Sequence, residues 1–120
     1  MTQRDLCCTI VPYFKIHPGK AQEFRALAED FVARASREPN CLFYGFSFNG
    51  DLAHCREGYA DGDAALEHIQ NVGSVLPKML EISDLLRLEV HGPAEELEKL
   101  KSQAAQLQVD YFVLELGFRR

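Results

Sequence analysis

A stretch rich in aromatic residues, 41–60, constrains the fold of this chain more than any other feature. Its first half, 41–49, reads Cys-Leu-Phe-Tyr-Gly-Phe-Ser-Phe-Asn and is typical of a β-strand. Asn49-Gly50 follows, and this pair favours a tight hairpin turn because both residues tolerate positive φ. A second strand over about 52–60 completes the predicted hairpin.

The first strand of this hairpin is apolar on both faces. Strand alternation predicts one face from Leu42, Tyr44, Phe46 and Phe48, and the other from Cys41, Phe43 and Gly45. A strand with two apolar faces is covered on both sides in a folded protein. A chain of 120 residues has helices for only one of these faces, so we expect a second copy of the protein to cover the other. This is the physical argument for a homodimer.

Hydrophobic periodicity places the other elements of the first half. A strand is predicted over 6–16, where Pro12 indicates a bulge or an edge position because it cannot donate a ladder hydrogen bond. Pro18 suits the first turn of a helix. Apolar residues at steps of three and four then predict a helix from Ala21 to about Ala35, which Pro39 ends.

The second half continues the alternation of helices and strands. Asp61 can cap a second helix, and Ser74 a further short one. A strand over 85–91 puts Leu86, Leu88 and Val90 on one face. Gly92-Pro93 starts a last helix, and a final strand covers about 109–118. The apolar stripe of that last helix consists of Leu97, Leu100, Ala104 and Leu107.

The resulting order is β-α-β-β-α-β followed by an extra α-β, and its first six elements match the ferredoxin-like α+β arrangement. The chain has room for one domain, 1–120, with a core over about 6–91 and a C-terminal extension over about 93–120.

Composition excludes several classes of function. The formal net charge is −5, and Lys and Arg are scattered among acidic residues, so neither a nucleic-acid partner nor an anionic membrane surface is expected. No apolar run approaches the roughly 18 residues that span a bilayer. No signal peptide is visible either, so the expected location is the cytoplasm. The four cysteines are expected to be free buried thiols, with a redox or nucleophilic role for Cys55 left open.

Four phrases of the chain carry a family resemblance. They are Pro18-Gly19-Lys20 followed by Phe24, Glu38 to Tyr44 (Glu-Pro-Asn-Cys-Leu-Phe-Tyr), Glu57 to Asp61 (Glu-Gly-Tyr-Ala-Asp), and Ala64 to His68 (Ala-Ala-Leu-Glu-His). In this order and spacing they resemble the antibiotic biosynthesis monooxygenase-like family of the dimeric α/β-barrel superfamily, over about 6–91. Asn40 stands where the family phrase has Gly.

The resemblance implies a dimer in which two four-stranded sheets pack face to face, with a pocket between each sheet and its own helices. It also implies one of several activities: cofactor-free oxidation of quinols and polycyclic phenols, haem degradation, or isomerisation. The fold alone does not decide among them. The chain has no Trp, so the Asn/Trp pair of the quinol monooxygenases and haem-degrading relatives is incomplete. That departure argues against both activities.

Four residues are candidates for catalysis. His68 lies at the edge of a helical apolar face, where an imidazole can move a proton near neutral pH. Glu57, Tyr44 and Arg56 would orient it or stabilise an oxyanion. The structural alternatives are a backbone-bonded His68, an ion pair between Glu57 and Arg87, a plain core role for Tyr44, and a solvated edge formed by Arg87, Glu89 and His91.

The function that we expect is a cofactor-independent, monooxygenase-like enzyme acting on a small aromatic or quinone-type molecule. The alternative is a non-catalytic homodimer that binds a small apolar ligand or has a stress-related role. Haem binding through His68 is a third hypothesis. No His-x-His or Glu-x-x-His spacing and no glycine-rich phosphate loop occurs, so neither a metal nor a nucleotide cofactor is expected.

Overall fold

The computed structural model describes residues 5–103 and 107–120. Within them, one five-stranded sheet with the strand order β2-β3-β1-β4-β5 is covered on one face by four helices. The strands are β1 Cys8–Ile16, β2 Cys41–Asn49, β3 Leu52–Tyr59, β4 Ser83–Gly92 and β5 Asp110–Val113; the helices are α1 Ala21–Ser36, α2 Gly62–Val72, α3 Leu76–Glu81 and α4 Ala94–Lys101.

The predicted α+β, ferredoxin-like fold with an added helix and strand is confirmed. All neighbouring strands pair antiparallel except β4 and β5, which are parallel. Such a pair needs a crossover connection, and α4 with the chain after it provides one.

The sheet buries one face against the helices because its strands alternate. In β1 every second residue, from Cys8 to Ile16, is buried, and in β3 the alternating residues Ala53, Cys55, Glu57 and Tyr59 are buried on the same face. Phe24 of α1 is fully buried and packs edge-on against Phe14. Burying a side chain of this size contributes about 1.5–3 kcal/mol to the free energy of unfolding. The hydrophobic core therefore lies on this inner face.

A β-bulge changes the predicted faces of β2. Cys41 pairs with Tyr59 and Phe43 with Gly58, so Leu42 is an extra residue opposite the partner strand. Leu42 is therefore 45% exposed instead of lying on the inner face. Cys41 takes the inner position, and the predicted inner face holds only from Tyr44 to Phe48.

A second bulge, in β4, changes the predicted faces of that strand. Tyr13 pairs with Arg87 and Phe14 with Leu85, which leaves Leu86 as the extra residue, 55% exposed. Leu85 replaces it on the inner face. The register shift lies beside Pro12, between Tyr13 and Phe14, but the extra residue belongs to β4 and not to the strand of Pro12. The predicted edge position is wrong because β1 lies between β3 and β4.

Several predicted boundaries are wrong by a few residues. Pro18 lies in a turn before α1, and Val75 rather than Ser74 precedes α3. The last helix ends at Lys101, so Leu107 lies beyond it, and Ala104 lies outside the described residues. The final strand stops at Val113 rather than near residue 118.

The outer face of the sheet carries no helix in the described part of the chain. Large apolar side chains on it are partly open to solvent, among them Tyr13 at 39%, Phe43 at 37% and Phe112 at 42%. Large exposed apolar side chains on an uncovered sheet face indicate an interaction site. Among the described residues, no helix is both long and apolar enough to cross a membrane.

Candidate functional site

A cavity of about 120 Å³ lies between the inner face of the sheet and helices α1 to α4. Most of the lining is aliphatic or aromatic, and the polar groups Tyr44, Cys55, Glu57 and His68 are concentrated at one end.

His68 reaches this end because α2 begins at a well-defined point. The Asp61 side chain accepts a hydrogen bond from the backbone N–H of Ala64 at 2.9 Å, which confirms the predicted cap. Ala64, Ala65 and His68 then face inward. His68 is only 4% exposed, so its imidazole belongs to the interior rather than to the helix surface.

Glu38 holds one side of the His68 ring. It follows the end of α1, where its N–H donates to the Ala35 carbonyl. His68 Nδ1 lies 2.8 Å from Glu38 Oε2, and Asn71 Nδ2 donates to the same oxygen at 2.7 Å. In the neutral ring, this contact places the proton on Nδ1 and leaves Nε2 as the acceptor.

The second oxygen of Glu38, Oε1, is buried and has no hydrogen-bond partner among the described residues. A buried acceptor left without a partner costs about 1–3 kcal/mol. Buried polar atoms without a partner are often found at functional sites, where the group is retained for its chemistry.

Glu57 lies on the other side of the ring. Its Oε1 is 3.6 Å from His68 Nε2, too far for a hydrogen bond. The same oxygen accepts a 2.6 Å hydrogen bond from the hydroxyl of Tyr59. His68 is thus placed between two buried glutamates.

Burial moves the pKa values of the two groups that face each other in opposite directions. Desolvation raises the pKa of Glu57 to about 8, although hydrogen bonds from Tyr59 and Cys55 oppose the shift. Desolvation also lowers the pKa of His68, against the contrary effect of Glu38. At neutral pH the favoured state is therefore a protonated Glu57 beside a neutral His68.

Tyr44 forms the wall next to this pair. Its ring centroid lies 5.1 Å from that of His68. Burial raises the pKa of Tyr44 above its ordinary value, so the phenol stays protonated. Tyr44 can accordingly donate a hydrogen bond to an oxygen in the cavity.

The structure brings three of the four predicted residues together and separates the fourth. His68, Glu57 and Tyr44 line one cavity. Arg56 is exposed on the opposite face of β3, where its guanidinium lies 4.9 Å from the centre of the Phe43 ring. Within one chain it therefore does not lie beside the other three.

The structural alternative for Glu57, an ion pair with Arg87, is wrong. Arg87 lies on the outer face, where it pairs with Glu89 and Asp110. His91 stacks on Phe112 and lies 2.9 Å from the Glu89 carboxylate. These three β4 residues form a polar strip on the outer face and not a wall of the cavity. The strip is not at an edge of the sheet, because β4 lies between β1 and β5.

The cysteines are free thiols, with Cys8 and Cys55 buried. Burial raises the pKa of Cys55 and raises that of Cys8 to about 12. A thiol held in its protonated form is a poor nucleophile. Among the described residues, no group of three or more His, Cys, Asp or Glu could hold a metal ion.

Sequence reasoning missed Glu38, Asn71 and Tyr59 as members of this site. Glu38 appeared only as part of a family phrase, although a charged residue just after the apolar stripe of α1 was a weak signal. Asn71 lies one turn after His68 on the same helix face, a spacing that could have identified it. Tyr59 shares a strand face with Glu57, which was visible in the alternation.

Comparison with solved structures identifies the relatives of this fold. MupZ from Pseudomonas fluorescens has 40% sequence identity with the chain and a TM-score of 0.89, over 95% of this chain and 94% of MupZ. No family model matches the chain, and the search of curated proteins found no match.

More distant structures share the fold over a smaller part of the chain. A protein from Caulobacter crescentus classed as an antibiotic biosynthesis monooxygenase is 24% identical, with a TM-score of 0.65, over 72% of this chain and 88% of its own. SnoaB from Streptomyces nogalater, a cofactor-independent oxygenase, is 17% identical, with a TM-score of 0.61, over 70% of this chain and 89% of its own. At these identities the likeness concerns the fold alone.

Proposed function

The chain belongs with MupZ to the antibiotic biosynthesis monooxygenase-like fold family, and from this premise we propose that it is an enzyme that transfers protons on a small, largely apolar molecule held beside His68 and Glu57. The observation that carries the proposal is the placement of His68 between Glu38 and Glu57 at the polar end of an apolar cavity. Two titratable groups with oppositely shifted pKa values are the usual mark of an acid–base pair.

The geometry assigns a role to each group. Glu57, with its raised pKa, carries a proton at neutral pH and can deliver it to a substrate oxygen. His68 Nε2 is free to accept a proton, because Nδ1 is engaged by Glu38. After one cycle Glu57 is ionised and His68 is protonated. Return of the proton from His68 to Glu57 restores both, and their 3.6 Å separation requires a small side-chain movement or one bridging water for this transfer.

One reaction that this pair supports is cofactor-independent oxygenation of a phenol or quinol. His68 would remove the hydroxyl proton, and the electron-rich anion would add dioxygen at carbon. The resulting peroxide would take up a proton and lose water, which carries away the second oxygen atom and leaves a carbonyl group on the ring. Tyr44 and Glu57 would donate hydrogen bonds to the anionic oxygen. The description of SnoaB, a protein of the same fold, as a cofactor-independent oxygenase supports this candidate.

A specific observation favours a second candidate, a redox-neutral proton transfer such as an isomerisation. Starting an oxygenation requires only a base, whereas this site holds a protonated carboxyl opposite that base. A reaction that takes a proton at one atom and returns one at another would use both groups.

The alternative of a non-catalytic ligand-binding protein receives less support. That alternative expects His68, Glu57 and Tyr44 to point into different regions, and they share one cavity. The homodimer is a proposal as well. It is supported by the partly exposed Tyr13, Phe43 and Phe112 on a sheet face that the described helices leave uncovered.

Two probe reactions distinguish the catalytic candidates. Oxygen uptake with 1,4-dihydroxynaphthalene reports oxygenation, and deuterium exchange at the α carbons of 2-tetralone in D₂O, followed by proton NMR, reports redox-neutral proton transfer. His68→Ala should abolish whichever reaction the wild type accelerates. His54→Ala is the matched control, because His54 lies on the outer face of the same sheet. Equal rates for wild type and His68→Ala in both assays would contradict the acid–base proposal.

A further inference from the structure

The cavity extends under the full width of the sheet. Every strand contributes to its lining: Phe46 from β2, Glu57 from β3, Ile10 from β1, Leu88 from β4 and Tyr111 from β5. Neighbouring strands lie about 4.8 Å apart, so β3 and β5, three strand spacings apart, are separated by roughly 14 Å. A single aromatic ring beside His68 would occupy only one end of such a space.

Polarity changes along this space in one direction. Tyr44, Cys55, Glu57 and His68 lie together over β2 and β3, and beyond them the lining over β1 and β4 is aliphatic, with Ile10, Leu85, Leu88 and Val90. The other polar side chains of the lining are the half-buried Tyr111 and the exposed Gln103, which lie at the far end, where the cavity reaches the protein surface. A ligand that matches this pattern is polar at one end and apolar along the rest.

The C-terminal extension supplies the far wall of the cavity. Leu100, Leu107, Val109 and Tyr111 line it, and all four follow β4 in the sequence. None of these residues belongs to the β-α-β-β-α-β core that carries His68 and Glu57. The chemistry and the far wall therefore lie in different parts of the chain.

The described parts of this wall are fixed relative to His68. Leu97 and Leu100 of α4 are each 1% exposed. The backbone N–H of Gly62, the first residue of α2, donates to Glu96 Oε1 at 2.9 Å. The helix that carries His68 is thus attached directly to the helix that carries the wall.

We propose that the ligand of this cavity is an elongated apolar molecule, an aliphatic chain with one oxygen function at the end beside His68, and that the C-terminal extension sets the length of chain that is accepted. This rests on the proposed function for the position of the reacting end. Such a chain would follow the lining of the cavity from His68 towards Gln103.

Unbranched primary alcohols from butan-1-ol to decan-1-ol test the proposal by calorimetric titration of the full-length protein. Each added methylene that enters an apolar cavity should tighten binding about three- to fourfold, up to a length on the order of ten carbons. The NMR signals of the His68 ring should shift with every alcohol, because the hydroxyl stays at the same end.

Val109→Phe, which fills the far wall, should weaken decan-1-ol binding at least tenfold and leave butan-1-ol unaffected. Val113→Phe is the matched control, since Val113 is 52% exposed and does not line the cavity. Leu107→Phe gives a second filling variant if Val109→Phe does not fold. An affinity that does not depend on chain length, or equal effects at positions 109 and 113, would overturn the proposal.

Turnover of the probe substrates separates the two proposals. Length-dependent binding without probe turnover would contradict the acid–base function and leave the chain-binding site standing. Probe turnover with no dependence of affinity on chain length would contradict the chain-binding site and support the acid–base function.

Discussion

His68 and Glu38, thirty residues apart in the sequence, form a buried pair in which Nδ1 of the imidazole lies 2.8 Å from Oε2 of the carboxylate. Both side chains are almost fully buried, at 5% and 7% exposure. The contact fixes the tautomer and the orientation of the ring, so that Nε2 faces Glu57 and the cavity. Glu38 is therefore a positioning residue for the proposed base.

Glu38→Gln tests this relationship. The amide keeps the shape but removes the charge, so the pKa of His68 should fall below its already lowered value, because Glu38 raises it in the wild type. Where His68 acts as base, turnover should drop about 10²- to 10⁴-fold with KM nearly unchanged. NMR of the imidazole nitrogens measures tautomer and pKa directly. Glu29→Gln, at an exposed position on α1, is the control. The same His68 titration in both variants would remove Glu38 from this role.

Glu57→Gln should change how stability depends on pH. The folded-state pKa of Glu57, about 8, lies above its unfolded value of 4.5, so the folded protein binds more protons between these pH values and wild-type stability falls as pH rises through that window. The variant does not lose stability in this way. Between pH 5 and pH 8 its free energy of unfolding should therefore rise, relative to that of the wild type, by on the order of 3 kcal/mol.

Urea unfolding across this pH range measures the difference. The lowered pKa of His68 acts in the opposite sense, raising stability as pH rises towards 6.5, and it is present in both proteins. A constant stability difference between wild type and Glu57→Gln from pH 5 to pH 8 would show that Glu57 is not protonated in the fold.

The hairpin and the inner face could be predicted because local signals agree there. Asn49-Gly50 places the turn, Gly50 has a φ of 60°, and the alternation from Tyr44 to Phe48 matches the observed face. Leu42 and Leu86 could not be placed, because a bulge inserts one residue and reverses the alternation on one side of it. Nothing in the side chains of these two leucines marks that extra residue.

The site was only partly predictable for a different reason. Tyr44, Glu57 and His68 lie on elements whose faces the periodicity fixes, so their convergence follows from the fold. Glu38 lies in the turn after α1, where no periodicity operates, and its contact with α2 depends on how two helices pack. The same tertiary packing buries Glu57 as an acid, instead of placing it in the ion pair with Arg87 that was the structural alternative.

Gly62→Ala should disturb the contact between α2 and α4. A Cβ at this position would lie 2.6 Å from the backbone oxygen of Glu96, so α4 has to move, and we expect a loss of about 1–3 kcal/mol. Gly73→Ala, at the other end of α2, is the matched control. Its Cβ would meet backbone oxygens at 3.4 Å and its backbone is already helical, so it should be neutral or stabilise by up to about 1 kcal/mol. Equal unfolding free energies for the two variants would mean that α4 is not packed as described.

Val11→Asp should convert the proposed homodimer into a monomer. Val11 lies on the outer face of β1, the central strand of the sheet, and is half-buried in the single chain. A partner that covers this face would bury the new carboxylate, and an unpaired buried charge costs several kcal/mol, enough to reduce dimer affinity by more than 10²-fold. Val32→Asp places the same charge on the helical side of the molecule, at a residue 39% exposed, and should leave the dimer intact. Sedimentation equilibrium at micromolar concentration gives the mass of each protein. A wild-type chain with the mass of one subunit would contradict the dimer, and a monomeric Val32→Asp would place the interface on the helices instead.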